Sequence, residues 1–86
     1  MASYKIEVST TAEKQIRKLP KPDQVRVLRA VLGLASVPRP RGCRKLRGYE
    51  DVYRIRVGSY RVLYSIEEKR VFIIILKVGK RKDVYR

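Results

Sequence analysis

The 86-residue chain has no histidine, no tryptophan, one cysteine, one phenylalanine and one methionine. With no imidazole and Cys43 as the sole thiol, the Cys/His sets of structural zinc sites cannot be assembled. Nuclease mechanisms that need a histidine are excluded as well. Cys43 cannot form an intrachain disulfide, which fits a reducing compartment. As a nucleophile it would lack the base that activates a thiol, so it reads as a structural residue. The five glycines, at 33, 42, 48, 58 and 79, are too scattered to make a phosphate-cradling loop. Any catalysis must therefore run on Arg, Lys, Tyr or carboxylates, and neither a metal nor a cofactor is expected.

Long hydrophobic runs are also missing. The longest apolar stretch, Val71-Phe72-Ile73-Ile74-Ile75-Leu76, is too short to cross a bilayer and suits a strand buried on both faces. The opening Met-Ala-Ser-Tyr-Lys-Ile-Glu-Val alternates apolar and polar residues, which reads as a strand and not as the apolar core of a signal peptide. Basic amphipathic anchors need a lipid-facing apolar helix face, and none is evident. The expected location is the cytoplasm, with no membrane partner.

Acidic residues are few. Eight Asp and Glu face 22 Lys and Arg, a net charge of +14. In so short a chain this predicts attraction to a polyanion, nucleic acid or an acidic protein segment, weakening as salt rises. The hydrophobic fraction of 44% is enough for one core, so residues 1–86 are read as a single domain.

Tyr4, Ile6 and Val8 alternate with Lys5 and Glu7 and mark a first strand. Thr10 and Glu13 have capping-box spacing, predicting a helix from near Thr11 to near Leu19, before Pro20. Pro22 and Asp23 open a second helix, for which Val25, Leu28, Val31, Leu32 and Ala35 form the expected sheet-facing stripe. Pro38 and Pro40 place a loop before a short strand over Arg44–Arg47. Val52–Val57 and Tyr60–Ile66 are two strands joined by Gly58-Ser59, a two-residue hairpin turn. A last strand covers Val71–Val78. The order β-α-α-β-β-β-β implies a two-layer α+β fold, with two helices on one face of a mostly antiparallel sheet.

The hairpin register carries the functional signal. It pairs Arg56 with Arg61 and Arg54 with Leu63, placing Tyr53, Ile55, Val57, Tyr60, Val62, Tyr64 and Ile66 on a core face and three arginines on the other. Like charges directly opposed cost roughly 0.2–1 kcal/mol per pair, so an anion belongs on that face. The competing reading is a solvated face whose arginines pair with Glu50, Asp51, Glu67 or Glu68.

Lys45-Leu46-Arg47-Gly48, Tyr53-Arg54-Ile55-Arg56, Tyr60-Arg61-Val62-Leu63-Tyr64, Val78-Gly79-Lys80-Arg81 and Val84-Tyr85, taken in order, resemble the RelE branch of the RelE/ParE toxin superfamily. The resemblance covers nearly the whole chain. It implies a small basic toxin of a toxin–antitoxin pair that enters the ribosomal A site and cleaves messenger RNA there. The implied reaction needs no metal: the ribose 2′-hydroxyl attacks the adjacent phosphate, leaving a 2′,3′-cyclic phosphate and a free 5′-hydroxyl. The implied catalytic set is Arg54, Arg56, Arg61, Arg81 and Tyr85. Arg61 would hold the scissile phosphate, Arg81 would stabilise the phosphate or the leaving 5′-oxygen, and Tyr85 would stack on or orient the attacked nucleotide, or act as base. Arg44, Lys45, Arg47, Lys80 and Lys82 would contact RNA. The implied partners are the ribosome with its messenger RNA and an acidic antitoxin.

One departure matters: the family's type member has lysines at the positions of Arg54 and Arg56, and arginine stays protonated at ordinary pH. Proton abstraction would then fall to Tyr85, to Lys80 or Lys82, or be replaced by geometric and electrostatic catalysis. Two other readings stay open, a ParE-like inhibitor of DNA gyrase and a noncatalytic nucleic-acid-binding protein.

Overall fold

The structure is a computed structural model and describes residues 3–80. Strand β1 (Lys5–Val8) leads into helices α1 (Thr10–Arg17) and α2 (Lys21–Gly33), followed by β2 (Arg44–Lys45), β3 (Val52–Val57), β4 (Tyr60–Glu67) and β5 (Phe72–Lys80). The five strands form one sheet in the order β1-β5-β4-β3-β2, with β1 parallel to β5 and every other pair antiparallel. This is the two-layer α+β arrangement that the element order implies. Among the described residues no helix is long and apolar enough to cross a membrane.

The core lies between the helices and one sheet face. Ala12 and Ile16 of α1 and Val27, Val31 and Leu34 from α2 and its C-terminal cap meet Ile55, Val62, Tyr64, Ile66, Ile73, Ile75 and Val78. Tyr64 is fully buried; its hydroxyl donates to the carbonyl of Pro38 at 2.7 Å. The next residue, Arg39, lies over the Tyr53 ring, 4.9 Å from its centroid, and pairs with Glu68. The 38–39 loop is thereby tied to the sheet.

Three local expectations are corrected. Ser9, not Thr10, caps α1: its side chain accepts from the Ala12 amide at 3.1 Å, and the helix stops at Arg17. The sheet-facing stripe of α2 is Val27, Val31 and Leu34, while Val25, Leu28 and Leu32 are exposed. Polar tethers at the start of α2 set this rotation. Asp23 accepts the Tyr60 hydroxyl at 2.9 Å, and the Gln24 side-chain amide donates to the Leu19 carbonyl at 2.8 Å. Asp23, Val27, Val31 and Leu34 share one helix face, so anchoring the first to the sheet brings the others with it. Finally, β2 is only Arg44–Lys45, and β5 starts at Phe72 because Val71 takes a φ of 51°, incompatible with extended backbone.

The hairpin register is as expected, from Val52 opposite Ser65 to Val57 opposite Tyr60. Gly58 supplies the positive φ of 60° that the turn requires. The β4–β5 ladder contains a bulge: Leu63 faces Lys77 but Tyr64 faces Ile75, leaving Leu76 as the extra residue. Helix α1 and its cap hold the bulge in place. The Ser9 hydroxyl donates to the Leu76 carbonyl at 2.9 Å, and the Gln15 side-chain carbonyl accepts from the Val78 amide at 2.7 Å.

Candidate nucleic-acid interface

Strand alternation carries Arg54, Arg56 and Arg61 to the sheet face opposite the helices. Two cross-strand rows result. One runs Arg56–Arg61–Gly79, and the other Arg44–Arg54–Leu63–Lys77. Gly79 puts no side chain beside Arg61. Five cationic residues from four strands thus share one face: Arg44, Arg54, Arg56, Arg61 and Lys77.

They are not equivalent. Arg56 is exposed and Arg61 half-buried, whereas Arg54 is only 8% exposed. A buried guanidinium is tolerated only when its donors are engaged, and among the described residues every buried side-chain nitrogen and oxygen has a hydrogen-bond partner. Leu63, also buried, lies in the row with Arg54 and outside the main core cluster.

Arg41, Arg44, Arg54 and Arg56 together line a cleft of about 550 Å³ at the β3 edge, with Ala30, Gly33, Leu34, Pro40, Gly42 and Ile55 as its other walls. Of the carboxylates near this face, Glu67 pairs with Arg70, and Glu68 with Arg39.

Other expected RNA contacts separate from this face. Lys45 opposes Tyr53, and Lys80 opposes Tyr60, so alternation puts both on the helix side. Arg47 is exposed in the turn after β2, in a shallow groove shared with Lys45, Leu46, Gly48, Tyr49 and Glu50. Arg81, Lys82 and Tyr85 lie outside the described residues. Sequence reasoning missed Lys77, which joins the face only through the bulge, and Arg41, which only the cleft brings beside Arg44, Arg54 and Arg56.

Permanently protonated guanidiniums can hold and stabilise anionic oxygens, but they cannot abstract a proton. The tyrosines with perturbed acidity offer no base in their place. Burial pushes the Tyr64 hydroxyl well above its ordinary value, and hydrogen bonds to Asp23 and Glu68 raise Tyr60 and Tyr4. Among the described residues no group of three or more His, Cys, Asp or Glu is placed to hold a metal ion.

This is a small two-layer α+β domain with its helices on one sheet face and a bank of arginines on the other, an arrangement suited to contacting a polyanion. The family model described as "ParE toxin of type II toxin-antitoxin system, parDE" matches residues 6–85. The chain is 32% identical to Toxin RelG of Mycobacterium tuberculosis over 96% of its own length and 97% of that protein's. It is 30% identical to the mRNA interferase toxin RelE of Escherichia coli K12, over 96% and 90%. The archaeal RelE–RelB complex from Pyrococcus horikoshii contains a chain that superposes with a TM-score of 0.83 at 34% identity, covering 95% of this chain and 99% of that one. The chain belongs to the RelE/ParE superfamily of toxins of type II toxin–antitoxin systems.

Proposed function

We propose that the protein is a metal-independent endoribonuclease that cuts messenger RNA in the ribosomal A site and so arrests translation. The observation that carries this reading is the Arg56–Arg61–Gly79 row: two opposed guanidiniums on a sheet face, beside a residue with no side chain to block a phosphate. In the reaction the 2′-oxygen forms a bond to phosphorus as the bond to the 5′-oxygen breaks. The 2′-hydroxyl gives up its proton to a base, and the 5′-oxygen receives one. Arg61 holds the non-bridging phosphate oxygens as charge builds on them, with Arg54 and Arg56 adding field. Arg81 at the leaving oxygen and Tyr85 against the attacked nucleotide complete the set; Arg44 contacts RNA on the same face, Arg47 and the helix-side Lys45 and Lys80 contact it beyond that face, and Lys82 contacts it as well. Support also comes from the E. coli relative, which is named an mRNA interferase.

The second proposed partner is an acidic antitoxin segment drawn by the +14 charge; the archaeal relative was solved with RelB.

The test is primer extension on a defined messenger RNA in programmed ribosomes, with ribosome-free controls. Wild type should cut at the A-site codon only with ribosomes. Arg61→Ala should lose roughly 10²–10³-fold in rate, the usual cost of removing one transition-state oxyanion contact. No cleavage by folded wild type, with DNA damage induced in cells, would instead favour gyrase inhibition.

A further inference from the structure

We infer that the cleft at the β3 edge is a second RNA subsite, one that holds a nucleotide flanking the scissile phosphate. The inference rests on the nuclease reading for its ligand class, adds Arg41 and the end of α2 to the RNA-binding surface, and gives Arg44 a defined place in it.

The cleft exists because β2 is short. It pairs with β3 only at Arg54 and Tyr53, so the Ile55–Val57 half of β3 has no outer strand. The last turn of α2 and the 40–42 loop wall the gap instead. Four of the lining residues are arginines and none is acidic. Arg41, Arg44 and Arg56 make no ion pair among the described residues. The remaining lining is apolar or small: Ala30, Leu34, Pro40 and Ile55, with Gly33 and Gly42. A volume of about 550 Å³ is of the size that takes a small organic ligand.

Guanidiniums over an apolar floor match a nucleotide, whose phosphate takes the bidentate fork and whose base lies on apolar surface or on a guanidinium plane. Arg56 opposes Arg61 on one side and lines the cleft on the other. A strand spacing of about 4.8 Å places the two subsites side by side, on one continuous RNA path.

Gly33 gives a test that leaves the arginines intact. A Cβ added there meets no atom within 4 Å, so Gly33→Glu is open at its Cβ and brings a negative charge to the cleft wall. The probe is a fluorescent, uncleavable 2′-O-methyl RNA hexamer, titrated by anisotropy against wild type, Arg41→Ala/Arg44→Ala, Gly33→Glu and Arg61→Ala across a salt series. The double variant should bind at least about tenfold more weakly. Its slope of log K against log salt should fall by roughly 1.4, at about 0.7 per phosphate contact on a single strand. Gly33→Glu should weaken binding similarly with its circular dichroism spectrum unchanged.

Unchanged affinity and slope in both variants, with Arg61→Ala still weakening binding, would overturn the subsite and leave the nuclease reading standing. Weakening in both variants, together with no ribosomal cleavage by wild type, would uphold the subsite and sink the nuclease reading. If both variants instead released a polyglutamate peptide and held RNA normally, the cleft would be a site for acidic protein and the inference would be wrong.

Discussion

Replacing Ser9 with alanine should cost far more than its half-buried position at a helix start suggests. The hydroxyl makes two bonds: it accepts from the Ala12 amide as the cap of α1, and it donates to the carbonyl of the bulge residue Leu76. Loss of the cap costs about 1 kcal/mol. Leaving the part-buried Leu76 carbonyl short of a partner costs at least about 1 kcal/mol more. The sum is roughly 2 kcal/mol, which in a domain of this size lowers Tm by about 8–16 °C. Thr10→Ala is the control. Thr10 is exposed and is not the cap, so that change should stay within about 0.5 kcal/mol. Urea titration and thermal melts of the two variants read the difference. If Thr10→Ala cost as much as Ser9→Ala, the Thr10/Glu13 capping box would be the true start of α1 and the Ser9 assignment would be wrong. Because Gln15 holds the same bulge through the Val78 amide, Ser9→Ala and Gln15→Ala should be non-additive by at least about 0.5 kcal/mol.

The rotation of α2 and the burial of Tyr64 give two further expectations. Leu34→Ala, at a site 1% exposed, should cost about 2–5 kcal/mol in urea unfolding, whereas Leu32→Ala, at 66% exposed, should stay within about 0.5 kcal/mol; the reverse order would restore the stripe read from sequence. Burial raises the Tyr64 pKa, so the folded state favours the neutral hydroxyl. That contribution is fully present below the ordinary tyrosine value near pH 10 and is lost as pH climbs above it toward the raised folded value. Wild type should therefore lose stability above pH 10, and Tyr64→Phe should flatten that alkaline decline; identical curves would refute the assignment.

Strand alternation and the two-residue turn made the hairpin, and with it the arginine face, readable residue by residue, because a period of two leaves only one register with Ile55 and Val62 inside. The phase of α2 was not readable. Val25, Leu28 and Leu32 have helical spacing as good as that of Val27, Val31 and Leu34, and the choice rests on Asp23 reaching Tyr60 across 37 positions. The cleft was hidden for a similar reason. It depends on where β2 stops, and neither Arg41 nor Gly33 signals that locally.

The bulge shows most clearly how the site depends on the fold. Continuing the alternation of Ile73 and Ile75 unbroken would send Lys77 and Gly79 to the helix side and Val78 to the other. A lysine would enter the core and a valine would stand beside Arg61. The extra residue, Leu76, reverses that phase: Val78 is buried, at 1% exposed, and glycine comes to lie opposite Arg61. The sequence carries a trace of this, since the apolar positions move from 73 and 75 to 78, a step that no regular strand makes. Opposed arginines, a buried Arg54 and an irregular ladder each cost stability, and all three meet on one sheet face. Such a concentration of local violations is expected at a functional site, and it fits the anion-binding role proposed for this face. It also constrains the proposed chemistry. With arginine at 54 and 56 and the acidity of Tyr4, Tyr60 and Tyr64 shifted upward, the arginine face supplies field and position. In the proposed reaction the proton of the 2′-hydroxyl is then taken by Tyr85, by one of the terminal lysines, or by the ribosomal surroundings of the bound RNA.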